Sequence, residues 1–323
     1  MRKEQGVALI MVLLIVAMVT AICSGIIYRQ QLSIRSSSNQ ITSEQIWQYA
    51  LGGEALGQAV LSRDLKQSGN NFAAQVDHLN EEWAKPLPIF PIDQGEISIQ
   101  IEDLSGRLNV NGLVQNGVSD SVTVERFKRL LSRLKISRPY AEKLVDWLDA
   151  NQDPVNENGA EDIQYQQAQP PYRTADREIQ DVSELRLLLG MTESDYQRLL
   201  PFIAAIPSGT PLNVNTASAM VLSCLSDALD GSAVKALIAE RGVDGYKDIR
   251  SFLDQEALGG TGLKGVGLAV NSSYFQVTSD IRLGDRHQVL SSTLQRNAIH
   301  EIRVLKRDLS QPGRIIDSSS KTP

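Results

Sequence analysis

The chain has 323 residues, a formal net charge of −6 and a sequence pI near 5.3. The acidic balance argues against nucleic acid as the main partner, because phosphate binding needs clustered cations. Its two cysteines, Cys23 and Cys224, cannot readily pair, since one sits inside an apolar run, so there is no disulfide framework.

That apolar run comes first. From Val7 to Ile27 there is no charge, and only Thr20, Ser24 and Gly25 interrupt a surface that is apolar all round. At about 1.5 Å rise per residue such a helix spans a hydrocarbon core. A membrane anchor is the expectation, and a secretory signal cut near Val19-Thr20-Ala21 is its competitor. Orientation is left open by the basic residues themselves, because Arg2 and Lys3 before the run are balanced by Arg29 and Arg35 after it.

Beyond Ile27 the pattern turns amphipathic. Ile41, Trp47, Leu51, Leu56, Val60 and Leu65 return at helical spacing through Lys66, which predicts one long helix, weakened at Gly52-Gly53 and ended by Ser68-Gly69-Asn70-Asn71. Pro86, Pro88 and Pro91 mark an extended connection. Ile97-Ser98-Ile99-Gln100-Ile101 then alternates as a strand. Strand character returns only in Tyr274–Leu283, His287–Leu294 and Ile299–Leu305, with turn residues Gly284-Asp285 and Arg296-Asn297 between them. A lone strand is not stable. The early strand must therefore pair with the late ones, and everything between is an insertion into one sheet.

The insertion reads as short capped helices. One is predicted from Thr123 to Lys135, burying Val124, Phe127, Leu130, Leu131 and Leu134, and a second starts at Ser137 and carries Leu144, Trp147 and Leu148. Asp181 opens a third, closed by Gly190, and Thr192 with Asp195 resembles a capping box for a fourth. Thr216, Ser232 and Lys247-Asp248 start three more. Leu108-Asn109-Val110-Asn111 recurs as Leu212-Asn213-Val214-Asn215, either a shared turn-and-cap sequence or the mark of two related subdomains. The tail from Ser310 has too little apolar surface to fold.

The densest oxygen cluster runs from Asp146 to Asp162. Asp149, Asn151 and Asp153 alternate like the first ligands of a calcium loop, and Glu161-Asp162 can close the shell with hard carboxylate oxygens. Pro154 and a late glycine, Gly159, exclude an EF-hand, so the alternatives are a different calcium loop and a solvated polar turn. The long stretch from Asn151 to Asp181 has almost no apolar pattern, which favours an ordering ion. Gly260-Thr261-Gly262-Leu263-Lys264-Gly265 matches a dinucleotide pattern but follows a predicted helix where a strand is required. Leu263-Lys264-Gly265-Val266-Gly267 and Leu212 to Ala217 look like pieces of helix-hairpin-helix DNA-binding modules, so a membrane-anchored DNA-binding protein is the alternative reading, with a metal-dependent anchored hydrolase behind it. No catalytic set emerges: His78, His287 and His300 are dispersed, and Cys224 lies on an apolar helical face.

The basic leader, Gly6 and the apolar helix that follows resemble a type IV prepilin signal. Together with Asp146-Trp147-Leu148-Asp149, Gly159-Ala160-Glu161-Asp162, Pro171-Tyr172-Arg173, Asp181 to Leu185 and Leu212 to Ala217, they make the chain similar to the minor pseudopilin K family of the bacterial type II (general) secretion pathway. The resemblance implies an α+β fold, with a pilin-like long N-terminal helix on a small antiparallel sheet interrupted by a large all-α insertion. It implies a leader over 1–6, cut after Gly6 by a prepilin peptidase that methylates Val7, and an inner-membrane helix over 7–28. Pilin-like segments would cover 29–107 and 273–309, with the inserted domain over 108–272 and a disordered tail over 310–323. It further implies structural calcium at Asp149, Asn151, Asp153, Glu161 and Asp162. The N-terminus would be cytoplasmic and the C-terminal domain periplasmic. The implied partners are the I- and J-type minor pseudopilins and, through them, the major pseudopilin. Pilins usually carry glutamate as the fifth residue after the cut, where this chain has Met11. An unpaired carboxylate in lipid is costly, so its loss fits a non-enzymatic subunit at the pseudopilus tip, which starts assembly and serves export of folded proteins across the outer membrane.

Overall fold

The computed structural model describes residues 4–67, 75–297 and 301–309, without the side chains of 4–6 and 67. The expectations for residues 1–3, the helix stop at 68–71, the Ile299 start of the last strand, His300 and the tail from 310 lie outside these residues. Helix α1, Glu4–Gln67, is one 64-residue element. Its first half is exposed along its whole apolar length, whereas Ile46, Ala50, Leu61 and Leu65 are buried. Ile41, expected in the buried stripe, is 60% exposed. At its level the helix meets the rim of the sheet, where the Arg286 guanidinium donates to Asn39 Oδ1 at 2.6 Å and Ser43 Oγ at 3.0 Å.

The helix does not break at Gly52-Gly53. A Cβ on Gly53 would collide with the Ser279 side chain, and one on Gly57 would stand 2.6 Å from Val277 Cγ2. These glycines therefore let the helix lie against the sheet, and their propensity cost is outweighed by packing.

The sheet has the order β1-β2-β9-β10-β11, antiparallel throughout. Its strands are β1 (Phe90–Ile92), β2 (Gly95–Asp103), β9 (Tyr274–Leu283), β10 (Arg286–Arg296) and β11 (Ile302–Asp308). The early strand thus pairs with a late one, Ile99 opposite Ser279, and the proline-marked connection adds β1. Strand β11 runs past the expected Leu305 because Asp308 still has a partner in Ser291. Ile97, Ile99, Ile101, Phe275, Val277, Ile281, Leu290 and Leu294 form a core with the second half of α1, and Trp83 meets Phe275 edge-on at 5.2 Å.

Between β2 and β9 lie β3 (Leu108–Asn109), β4 (Val114–Gln115), β5 (Val118–Ser119), α2 (Ser121–Arg133), α3 (Tyr140–Leu148), α4 (Asp162–Tyr165) and α5 (Glu193–Leu199). Then come β6 (Ile203–Ala204), β7 (Leu212–Asn213), α6 (Ala219–Ser223), α7 (Gly231–Glu240), α8 (Ile249–Leu253) and β8 (Leu268–Ala269). They pack around two cores, one centred on Phe127, Leu130, Leu144 and Trp147, the other on Val214, Leu222, Leu237 and Phe252.

Several helix starts differ from expectation because a nearby oxygen caps better. Asp120 Oδ2 accepts from Thr123 N at 2.9 Å and starts α2 early. Ser218 and Asp230, not Thr216 and Ser232, cap α6 and α7. Thr216 instead donates its hydroxyl to the buried Asp103 carboxylate at 2.5 Å. Asp181 opens a 3-10 helix, Val182–Leu187. Thr192 caps α5 without a box, because the Asp195 carboxylate accepts from the Tyr140 hydroxyl.

The repeated Leu-Asn-Val-Asn serves one scheme twice. In each copy the Leu-Asn pair is a short strand in a parallel pair, β3 with β6 and β7 with β8. The first asparagine accepts from the backbone N–H of the second, Asn111 or Asn215. The second asparagine accepts from a distant backbone N–H, Ile179 at 2.9 Å or Tyr246 at 2.7 Å, and donates to the same residue's carbonyl at 3.0 Å. A shared turn sequence alone would not create matching long-range bonds. Substituting Asn215→Ala leaves the Tyr246 amide buried and unpaired, with an expected loss of about 2 kcal/mol. Asn111→Ala should cost a similar amount, and urea unfolding of the detergent-solubilised chain measures both.

Candidate functional site

Along the anchor, Gly6 lies within α1, and Val7 and Met11 stand on its bare apolar half. The helix over Val7–Lys66 is long and apolar enough to cross a membrane.

The acidic loop is built from the C-terminal end of α3. Asp146, fully buried, accepts from Val155 N at 2.9 Å and Ala160 N at 2.7 Å, and so stitches the loop's two arms to the helix. Gly159 is required there, because a Cβ would strike the Asp146 carboxylate. Asp149 Oδ1 accepts from Asn151 N and Asn151 Oδ1 from Asp153 N, a run of side-chain turns that folds the exposed tip.

Glu161 is 1% exposed, and neither of its carboxylate oxygens has a hydrogen-bond donor. The adjacent Gln164 binds the Glu161 backbone instead, its N–H to the carbonyl and its Oε1 to the N–H, both at 2.9 Å. Burial first, then the charges of Asp146, Asp149, Asp176 and Asp162, push Glu161 up to about 8. Asp149 is also raised, by burial and then by Asp176. The structure thus brings Asp149 and Glu161 into one negative field and adds Asp176, which sequence reading missed; its left-handed backbone, φ 50°, was the available signal only after folding. Asp162 is occupied elsewhere: Oδ1 accepts from the Thr174 N–H and hydroxyl at 3.0 Å, and Arg173 lies 3.6 Å from Oδ2. Asn151 and Asp153 sit on the exposed rim.

Among the described residues, the three carboxylates that converge within 4.8 Å of one another are elsewhere, at Asp64, Asp77 and Glu81. Arg296, fully buried, already answers two of them, at 3.0 Å from Asp64 and 2.5 Å from Asp77. This cluster is the joint between sheet and insertion, since Asp77 also accepts from Ser272 N at 2.6 Å and its N–H reaches Val270 O at 2.9 Å.

The hairpin-like piece from Leu212 to Ala217 uses its amides internally. Leu212, Asn213 and Val214 donate to Gly267, Ser105 and Ala269 carbonyls, each at 2.9 Å, so these N–H groups are not available to phosphate. Cys224 is buried in the first helical core, and His287 pairs with Asp280 at 2.8 Å.

A helix bare and apolar in its first half, packed on an antiparallel sheet in its second, and carrying a helical insertion in that sheet, defines a pilin-like membrane-anchored subunit. Two family models described as "Type II secretion system (T2SS), protein K" match residues 106–208 and 212–278. The chain is similar to type II secretion system protein K of Pseudomonas aeruginosa, 49% identical over 98% of this chain and 96% of that one. The corresponding protein of Klebsiella pneumoniae is 35% identical over 91% and 93%. A chain in the crystal structure of the GspK–GspI–GspJ complex of the enterotoxigenic Escherichia coli type 2 secretion system superposes with a TM-score of 0.76. It has 27% identity and covers 86% of this chain and 99% of that one. The chain belongs to the type II secretion system protein K family.

Proposed function

We propose that this protein is a non-enzymatic minor pseudopilin that starts the pseudopilus at its tip and serves export of folded proteins across the outer membrane. Its N-terminus would be cytoplasmic, its first helix in the inner membrane and its folded part in the periplasm. The observation that carries this reading is Met11. On the exposed apolar face of α1, at the fifth position after Gly6, there is no carboxylate to receive a neighbour's N-terminal amine. Subunits stacked below would present their own helices to α1, while the helical insertion obstructs addition above. The relative in the GspK–GspI–GspJ complex supports I- and J-type minor pseudopilins as the immediate neighbours, with the major pseudopilin reached through them.

Maturation would need a prepilin peptidase to cut after Gly6 and methylate Val7. The intact mass of the purified protein is expected to match a chain starting at Val7 with one added methyl group. Gly6→Leu should leave the uncut precursor. A mass matching cleavage after Ala21, or no cleavage in the unaltered chain, overturns the prepilin reading.

The acidic loop fits a calcium ion. Glu161 offers two buried oxygens without donors, Asp149 and Asp176 share its field, and all three are the hard ligands calcium prefers. Asn151, Asp153 and Asp162 remain candidates from sequence, although Asp162 would first have to leave Thr174. Bound calcium would supply the charge that lets these carboxylates stay together ionised. The chain's own part is to hold the arms: Asp146 through its two backbone bonds, and Asp162 through Thr174.

A further inference from the structure

Between the two helical modules lies a cavity of about 320 Å³, walled by α2, the 206–212 loop and Val266-Gly267. Its most telling lining residue is Arg126, on α2. Arg126, Arg129 and Arg133 recur on one face of that helix and all reach toward the second module. Arg129 pairs with Asp227 at 2.9 Å, and Arg133 donates to the Leu229 carbonyl at 3.0 Å and the Ser226 carbonyl at 3.5 Å. Arg126 is 4% exposed, yet it makes one hydrogen bond, from Nη2 to the Val266 carbonyl at 3.1 Å, and its Nε has no acceptor. No carboxylate among the described residues bonds it.

The other charges on the cavity wall have partners of their own, although Asp120 still acts on Arg126 through its charge. Arg107 is held by Glu102 at 2.7 Å, and Asp120 is committed to the start of α2 through Thr123 N. The wall therefore carries a buried guanidinium with unbonded donors, with the Asp120 charge nearby, in a lining of mixed polarity whose apolar part includes Leu108, Val122 and Ile206. A buried guanidinium with free donors is costly, and a carboxylate answers it with paired, charge-assisted bonds. Burial lowers the Arg126 pKa, and the Asp120 charge only partly offsets that shift. Asp120 on the same wall opposes a second negative charge, which disfavours phosphate dianion. The size suits a small ligand at the lower end of the usual range.

We infer that this cavity binds a monocarboxylate with a short apolar body, its carboxylate on Arg126 and its body against Leu108, Val122 and Ile206. The carboxylate can come from a free small acid or from the end of a polypeptide chain. This site is independent of the anchor and of the acidic loop.

Calorimetric titration of the full chain in detergent tests it, with isovalerate standing for a free acid and N-acetyl-leucine for a chain end. Saturable binding at one site per chain is expected for at least one of them, and the tighter of the two identifies the source. Isovaleramide and N-acetyl-leucinamide should bind at least about tenfold more weakly, since a charge-assisted bond is lost. Arg126→Met should abolish the difference between acid and amide. Gly209→Leu provides the second variant. Gly209 borders the cavity, a Cβ there meets nothing within 4 Å, and its φ is not in the left-handed region. It should block binding while leaving the melting temperature unchanged. No binding by either acid, equal binding of acid and amide, inorganic phosphate binding tighter than both acids, or unaltered binding in Gly209→Leu overturns the proposal.

Discussion

Arg296→Met is expected to lower the unfolding free energy by about 3–5 kcal/mol at pH 7.5, the usual cost of stranding a buried charge. The guanidinium is fully buried, bridges Asp64 and Asp77, and donates to the Ser272 carbonyl at 2.8 Å. Without it, Asp77, itself without solvent exposure, has lost its counter-charge beside Asp64 and Glu81 and must either bear an unpaired buried charge or take up a proton at pH 7.5. Burial already pushes the Asp77 carboxyl up, and Arg296 is what pulls it back. In the variant the folded-state pKa rises further above the unfolded value. Stability is then highest where the carboxyl is protonated in both states, and falls as pH rises through the folded-state value. The variant should accordingly regain stability on acidification. Adding Asp77→Asn should recover much of the loss at pH 7.5, because the two sites share one interaction. The tryptophans report where the damage lies, with Trp47 and Trp83 at the sheet core and Trp147 in the insertion. Because Asp77 also holds Val270 and Ser272, both signals should shift to lower urea. A change below about 1 kcal/mol, the range of an exposed ion pair, would contradict this account of the joint.

Glu161→Gln is the second large effect, and its sign depends on calcium. In chelator the substitution removes a carboxyl that burial and the charges of Asp146, Asp149, Asp176 and Asp162 push up to about 8, so that folding at neutral pH must force a proton onto it. The variant should therefore be more stable than the parent by about 1–2 kcal/mol. With calcium at about one hundred times its Kd, the parent should gain about 2.7 kcal/mol and the variant almost nothing. Thermal melts of the two proteins, each in chelator and in calcium, give four temperatures whose order is therefore specified. If calcium stabilises Glu161→Gln as much as the parent, Glu161 is not a ligand. If it stabilises neither, the loop is ordered by its own bonds, chiefly those of Asp146 and Asp162.

The readable parts of this chain were those governed by neighbours in sequence. Alternation in Ile97 to Ile101 marked a strand, and its isolation forced a partner far downstream, so the insertion follows from the sequence. Aspartate and serine caps marked most helices to within a few residues, and misplacements such as Thr216 arose where a distant carboxylate, Asp103, competed for the hydroxyl. The repeated asparagines were visible as a motif, but their shared task depended on Ile179 and Tyr246, far along the chain.

The sequence by itself determined the apolar anchor, the missing carboxylate at Met11, the interrupted sheet and the oxygen-rich loop, because each follows from composition or spacing within a short window. Tertiary structure alone decided which charges meet. It joined Asp176 to Asp149 and Glu161, turned Asp162 toward Thr174, buried Arg296 between Asp64 and Asp77, and left Arg126 facing a cavity. It also gave Gly53 and Gly57 their purpose, as the places where β9 crosses α1. The physical reason is common to all of these: burial and Coulomb energy depend on distance in space, and sequence spacing constrains that distance only over a few residues.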